Sequence, residues 1–315
     1  MYTDCIVKQK QRSRKIGPFV AAAAAFAIWG FNTPLIEKSL TSFPLFTLVF
    51  LKFLVSGIVF GFLASKHWKK VSPKLWPRIV LATIFGYFLN GVLFYKGVIL
   101  TGGLNASLLY LLAPLVLYFS SIRFLKERYD HKLLVSVLAG FAGTILIVGA
   151  PLLTGHEGTR GDVLGNILII LAVGTDVAGT ILIKPVLKKV PTMQISAIRA
   201  VLGTFMMFPL IIHEFPKLAH LQIGTVTGLT LGYNLVFSSI VAVYLYHWAL
   251  ARVSGEQISP LQYLDPTIGA IASMVLLAQR PAPTTIAGIV LVFGGLYLGG
   301  ANTMRTGHHH ATHHR

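Results

Sequence analysis

What most limits how this chain can fold is the recurrence of apolar runs about as long as a bilayer is thick. A helical span takes about 20 apolar residues, within a range of about 17 to 25. Read between its polar breaks, the sequence offers ten such runs, near 17–36, 43–64, 77–96, 103–122, 133–153, 163–183, 195–212, 223–248, 257–278 and 284–301. The breaks hold Pro, Gly or charge, as at Ser65 to Pro77, Arg123 to Lys132, Lys184 to Thr192 and Gln279 to Pro283. None is long enough for a separate soluble domain. In lipid the backbone must satisfy its own hydrogen bonds, which makes such spans helical. The expected fold is an all-α integral membrane protein with ten transmembrane helices and the lipid bilayer as its surroundings.

The formal net charge of +17 would point to nucleic acid in a soluble protein. Here Lys and Arg stand in short loops between apolar runs, so nucleic acid is set aside as a partner and the charge is read as topology, because cytoplasmic loops collect basic residues. With the N-terminus inside, the inner segments hold 20 Lys and Arg, while the outer ones hold five, Lys38, Lys96, Arg160, Lys217 and Arg280. Both termini are therefore expected in the cytoplasm, which requires an even number of spans. The short loops fit a cell membrane of the bacterial inner type. The basic stretch from Lys8 to Lys15 and the Ala-rich run after it resemble a secretory signal. That run continues to Ile36, and the better account is an uncleaved first helix. Cys5 has no internal partner, and the histidines from His308 to His314 read as a tail that would bind metal only adventitiously. No metal site and no cofactor is expected.

The chain also repeats. A shift of 152 residues lays Pro114 on Pro266, Glu127-Arg128 on Gln279-Arg280 and Gly143 on Gly295, and a shift of about 147 lays Lys52 on Arg199. With five helices per copy, the second copy starts from the opposite side of the membrane, which gives two inverted five-helix repeats, an architecture of secondary transporters. The expected organisation is a cytoplasmic tail (1–16), a first repeat (17–153), an exterior linker (154–162), a second repeat (163–301) and a His-rich cytoplasmic tail (302–315).

Trp29-Gly30-Phe31-Asn32-Thr33-Pro34 in the first run, Leu51-Lys52-Phe53-Leu54 in the second, Pro114 in the fourth and Leu125-Lys126-Glu127-Arg128 after it together resemble the EamA-type, ten-helix branch of the drug/metabolite transporter superfamily. The similarity runs from about 18 to 301. It implies a secondary transporter of small organic solutes working by alternating access, with export of amino acids or related metabolites favoured. Import, or carriage of sugars or phosphorylated metabolites, stays open. The sequence departs from the family pattern at Lys52, where Arg is usual, at Gln279 and at Thr175.

Ionisable groups at membrane depth are costly and therefore functional candidates. Asp265, expected near the middle of the ninth run and directly before Pro266, is the first choice for substrate or proton binding; Asp176 in the sixth run is the second. Lys52 and Arg199 open the second and seventh runs, either snorkelling to the interface or attracting an anionic cargo. Asn32, Asn90, Tyr95, Tyr110, Tyr118, Asn234, Tyr244, Tyr246, Trp248 and Tyr263 offer a possible pocket, and of these Asn32, Tyr110, Asn234 and Tyr263 lie deeper. Tyr95, Tyr118 and Trp248 are expected in the interfacial belts, and Lys96 and His247 at the interface too. Gly57 and Gly61, Ala139 and Gly143, and Gly295 and Gly299 recur at four-residue spacing, which suits close helix packing within the chain or a homodimer. The sequence has no His-Glu-x-x-His, Gly-x-Ser-x-Gly or Walker-type loop. The expectation is a transporter and not an enzyme, with a non-transporting membrane scaffold or a membrane enzyme as the readings from another class.

Overall fold

The computed structural model describes residues 2–40, 43–101, 106, 109–153, 163–218, 221, 223–276 and 283–306. The expected exterior linker, the Gln279-Arg280 turn and the C-terminal histidines lie outside the described residues. Every regular element among the described residues is helical. The rods are α1 (Tyr2–Leu40), α2 (Leu45–Ser65), α3 (Pro73–Thr101), α4 (Leu112–Leu125), α5 (His131–Leu153), α6 (Val163–Leu187), α7 (Thr192–Ile211), α8 (Thr225–Leu250), α9 (Leu264–Leu276) and α10 (Pro283–Thr306). Short helical turns lie between some of them, at Ile212–Glu214, Phe215–Leu218, Gly255–Ile258 and Ser259–Tyr263. Among the described residues five helices, α2, α3, α6, α7 with its extension to Leu218, and α8, are long and apolar enough to cross a membrane. The segment expected as an N-terminal tail is helical from Tyr2 onward and continuous with α1.

Large apolar side chains cover the outside as well as the inside. Phe62, Phe205, Leu229, Val275 and Tyr297 are between 71 and 78% exposed. In water such a surface would drive aggregation; facing lipid it is neutral.

The broad packing surfaces join α1 to α8 and α9, α2 to α7, α3 to α6, and α5 to α10. Each pairs a rod from 17–153 with one from 163–301. Small residues bring α5 and α10 together: a Cβ on Gly295 would stand 3.0 Å from that of Ala139, and one on Gly143 would meet the Gly288 carbonyl and Val292. The Ser136 hydroxyl donates to the Gly295 carbonyl at 2.7 Å. On α2, Gly57 faces Ala200 and Val201 of α7, whereas Gly61 faces nothing within 4 Å.

The ends of α2 and α7 are tied reciprocally. Pro44 precedes α2 and offers no side-chain cap, so the orphan N–H groups of the first turn need an acceptor from elsewhere. The buried Glu214 carboxylate, just past α7, accepts from the N–H groups of Phe46 (3.1 Å) and Thr47 (2.7 Å) and from the Thr47 hydroxyl (2.8 Å). At the other end, Gln194 in the first turn of α7 accepts from the Lys69 N–H at 3.1 Å and donates to its carbonyl at 2.6 Å. Glu214→Ala is expected to cost roughly 1–2 kcal/mol, the weight of a helix cap reinforced by charge. The measurement is the thermal midpoint in detergent, and an unchanged midpoint would show that α2 starts without this cap.

A second tie joins three connections at the opposite end from Glu214. Lys184, in the last turn of α6 and nearly fully buried, pairs with Glu127 after α4 at 3.3 Å, and its ammonium also donates to the Val253 carbonyl. The other oxygen of Glu127 accepts from the N–H groups of Gly255 (2.7 Å) and Glu256 (3.3 Å), at the start of the turn that leads into α9.

Besides the 3₁₀ turns at Pro73–Leu75 and Ile212–Glu214, three stretches depart from plain α-helix. α3 is π-helical over Ile84–Leu89 and α8 over Asn234–Val241. The ninth run breaks into a short helix and a 3₁₀ stretch, Ser259–Tyr263, before α9 begins. Asp265, expected near mid-span, is in the first turn of α9 and near the middle of the continuous helical stretch Gly255–Leu276. Pro266 has no N–H to reach back into the preceding turn, so the α pattern restarts there.

Candidate functional site

Both π-helical stretches border one cavity of about 230 Å³. On α2 its wall is Val49, Lys52, Phe53, Ser56 and Phe60, spaced as one face of a helix. From α3 come Gly86 and Tyr87, then Asn90, Gly91 and Tyr95; α1 adds Trp29, α7 adds Ser196 and Ala200, and α8 adds Ser238, Ser239 and Val243. A π-bulge inserts one residue into a turn and redirects the side chains that follow, which is how α3 and α8 each present polar groups here. Trp29 spans the gap from α1, its indole N–H donating to the Ser238 carbonyl at 3.0 Å.

Lys52 is the one formally charged residue in this wall, and no ion pair to it forms among the described residues. Arg199 stands behind the wall. Its Nη1 lies 2.9 Å from Nε2 of His247, its Nη2 donates to the Ala82 carbonyl at 3.1 Å, and its guanidinium sits 3.9 Å over the Tyr87 ring. The other face of Tyr87 stacks on Phe53, with ring planes 1° apart and centroids at 5.0 Å. His247 reaches onward through Nδ1 to Ser196 Oγ, at 2.9 Å. On the far side, Asn90 donates to the Tyr110 hydroxyl at 3.1 Å and the Ala172 carbonyl at 3.0 Å. Tyr110 also shares a hydrogen bond with the Asp176 carboxyl.

Of the residues singled out in the sequence, Lys52 lines the cavity. Arg199 is 3% exposed and does not snorkel. Asp176 and Tyr110 form an outer layer behind Asn90. Asn32 and Asn234 pair with each other, Nδ2 to Oδ1 at 3.0 Å, and clamp α1 to α8. Tyr263 is fully buried against Gly140, its hydroxyl 3.4 Å from the Leu111 carbonyl. Asp265 presents its backbone carbonyl to Gly30, where no side chain would fit.

Three side chains expected at the interface are turned into the protein. Tyr118 is fully buried, with its hydroxyl donating to the Asp130 carbonyl at 2.8 Å. His247 is 2% exposed and hydrogen-bonded on both ring nitrogens, and Tyr95 lines the cavity. The interfacial reading of His247 rests on its place in the last turn of the eighth run, a depth argument that does not say which way the ring points. Ser196, Ser238, Ser239 and Tyr87 were missed as well; the available signal was hydroxyl groups within otherwise apolar runs.

Two copies of one family model, the EamA-like transporter family, match this chain, over residues 15–149 and 163–299. The chain belongs to the EamA-like transporter family. It is a membrane transporter of that family, which comprises transporters and not enzymes. EamA-like relatives include an uncharacterized transporter of Bacillus subtilis, YetK, 23% identical over 290 residues that cover 90% of this chain and 87% of that one. A second B. subtilis protein, the uncharacterized transporter YxxF, is 28% identical over 303 residues, 95% and 93% of the two chains. A Salmonella typhimurium protein named a probable amino-acid metabolite efflux pump is 23% identical over 300 residues, 91% and 95%. A crystal structure with a TM-score of 0.77 at 18% identity covers 92% of this chain and 98% of its own, and it shares the fold.

Proposed function

We propose that this EamA-like protein is a secondary exporter of amino acids or related small metabolites, working by alternating access. In this reading ten membrane-crossing helices form two inverted repeats, 17–153 and 163–301, with both termini in the cytoplasm of a bacterial cell and the cavity as the solute site. The observation that carries it is the cavity's position: its wall is shared by the second and third helices of each copy, α2 and α3 with α7 and α8, and each third helix carries an interior π-helical stretch there. Rocking one copy against the other would expose such a site to either side in turn. The amino-acid assignment is supported by the name of the Salmonella relative. Asp176 and Asp265 are the candidates for proton coupling, and Asp176 reaches the wall through Tyr110 and Asn90.

The test is flux of labelled amino acids, sugars and nucleosides into proteoliposomes, with and without an imposed pH gradient, for the parent, Asp176→Asn and Asp265→Asn. Saturable amino-acid flux that responds to the gradient, with the response lost in one of the two variants, is the expected result. Gradient-driven flux unchanged in both variants would end the proton-carrier role, and no saturable flux from folded, inserted protein would end the transporter assignment to these solutes.

A further inference from the structure

We propose that the cavity holds its solute by a carboxylate, with the Lys52 ammonium as counter-ion and the Ser196 hydroxyl as a second donor, so that the cargo class is small organic acids and zwitterionic amino acids, and not amines. This rests on the transporter reading above and deepens it.

The argument begins with a cation that nothing neutralises. Lys52 lies seven residues beyond Leu45, the start of α2, hence about 10 Å along the helix at about 1.5 Å per residue. It faces the cavity, and the ion pair found among the described residues joins Lys184 to Glu127 elsewhere. A charge held within a membrane protein without a partner is costly. An anion in the cavity would supply the missing partner.

Ser196 supplies direction. Arg199 is permanently protonated and can only donate, so His247 must accept at Nε2, 2.9 Å away. The ring's proton is then on Nδ1, a tautomer assigned from the hydrogen bonding, and it is donated to Ser196 Oγ. With that oxygen already accepting, the serine's own proton is free to point into the cavity that Ser196 borders. The fixed charge of Arg199 stands one imidazole behind it and polarises the chain of bonds toward donation. Ser56 and Ser239 are arranged oppositely. Their hydroxyls donate to backbone carbonyls, of Lys52 at 2.6 Å and of Asn234 at 2.7 Å, which leaves lone pairs for a solute ammonium. Trp29, Phe53 and Tyr87 offer apolar surface for the remainder. At about 230 Å³ the space is below the about 300–1,000 Å³ of drug-sized sites, as suits a metabolite.

The experiment is calorimetric titration of the protein in lipid nanodiscs with leucine and phenylalanine, their carboxamides, and the deaminated acids 4-methylpentanoate and 3-phenylpropanoate. Amino acids and deaminated acids should bind at least about tenfold more tightly than the amides, the weight of one charge-assisted contact. Lys52→Met should abolish that difference, Lys52→Arg should restore it, and Ser196→Ala should reduce it by a few-fold. Thermal midpoints without solute verify that each variant is folded. Equal binding of acids and amides, no binding of any acid, or an undiminished difference in folded Lys52→Met would each overturn the proposal. Flux of amines or neutral solutes that ignores Lys52→Met would do so while leaving transport intact. Acid-selective binding without flux would instead end the transporter reading and leave the carboxylate site standing.

Discussion

Gly179→Leu is expected to abolish recovery of monodisperse protein, and Gly179→Ala to lower its thermal midpoint by an amount matching about 1–3 kcal/mol or more of overpacking. A Cβ at Gly179 would lie 2.5 Å from the Gly86 Cα, 2.7 Å from the Gly86 nitrogen and 3.1 Å from the Ala82 carbonyl. All three are backbone atoms, so no rotamer change relieves the clash, and α6 must back away from α3. The damage would reach the cavity, because Gly86 and Tyr87 are wall residues on the π stretch and Arg199 bonds to Ala82. Gly174→Ala on the same helix is the control, since a Cβ there meets nothing within 4 Å. Size-exclusion profiles and melting curves in one detergent decide the matter. A Gly179→Ala protein as stable as Gly174→Ala would mean that α3 and α6 are not held backbone to backbone.

The second large effect is expected at the Glu127 tie. Glu127→Gln leaves the Lys184 ammonium buried with only the Val253 carbonyl, and removing one member of a buried pair costs about 3–5 kcal/mol. Adding Lys184→Met should recover much of that loss, because the penalty belongs to the orphaned charge and not to the missing attraction. Failure of the double variant to recover would show that the carboxylate acts chiefly on the Gly255 turn.

The same cluster has a pH signature. Burial and the adjoining Glu127 carboxylate push the Glu256 carboxyl up to about 8 from its ordinary 4.5. Burial would raise Glu127 as well, but hydrogen bonding from Glu256, the Lys184 charge and the two backbone N–H groups outweigh it and hold Glu127 low. Protonated Glu256 can then donate to Glu127. A carboxyl whose folded pKa is raised gives stability that is complete below its unfolded pKa and lost as pH rises through the folded one. The parent's melting midpoint should therefore fall between about pH 4.5 and 8. In Glu256→Gln, which keeps a donor at all pH values, that slope should vanish. Glu127 acts in the opposite sense, its share being lost in acid below its ordinary range.

Run lengths and loop charges made the helical, membrane-embedded class legible, because lipid tolerates little else. Lys52 stood out because a charge in an apolar run has few explanations, and it borders the cavity. Of the wall around it only Asn90 and Tyr95 were among the pocket groups read from the sequence; the rest was not legible, since two π stretches shift the helix faces of α3 and α8 and break the period on which a face is read. Asn32, Asn234 and Tyr263 are buried as the sequence suggested, and what it could not show is that the two asparagines bond to each other and that the Tyr263 hydroxyl lies by a carbonyl. Asp265 lies near the middle of the helical stretch Gly255–Leu276, as read from the sequence, but the change from 3₁₀ to α geometry just before it was not legible, because it depends on backbone geometry upstream of Pro266.

The pairing of rods across the two copies also has a consequence for biosynthesis. α5 meets α10 only after roughly 150 further residues, about 7–30 s at translation rates of about 5–20 residues per second. During that interval the first copy sits in lipid with its inner faces open, and faces built of Gly, Ala and Ser endure this cheaply. The order of emergence favours two of the buried cations. Lys184 and Arg199 are made after Glu127 and Ala82 are in place to receive them, so neither buried cation has to wait for those partners.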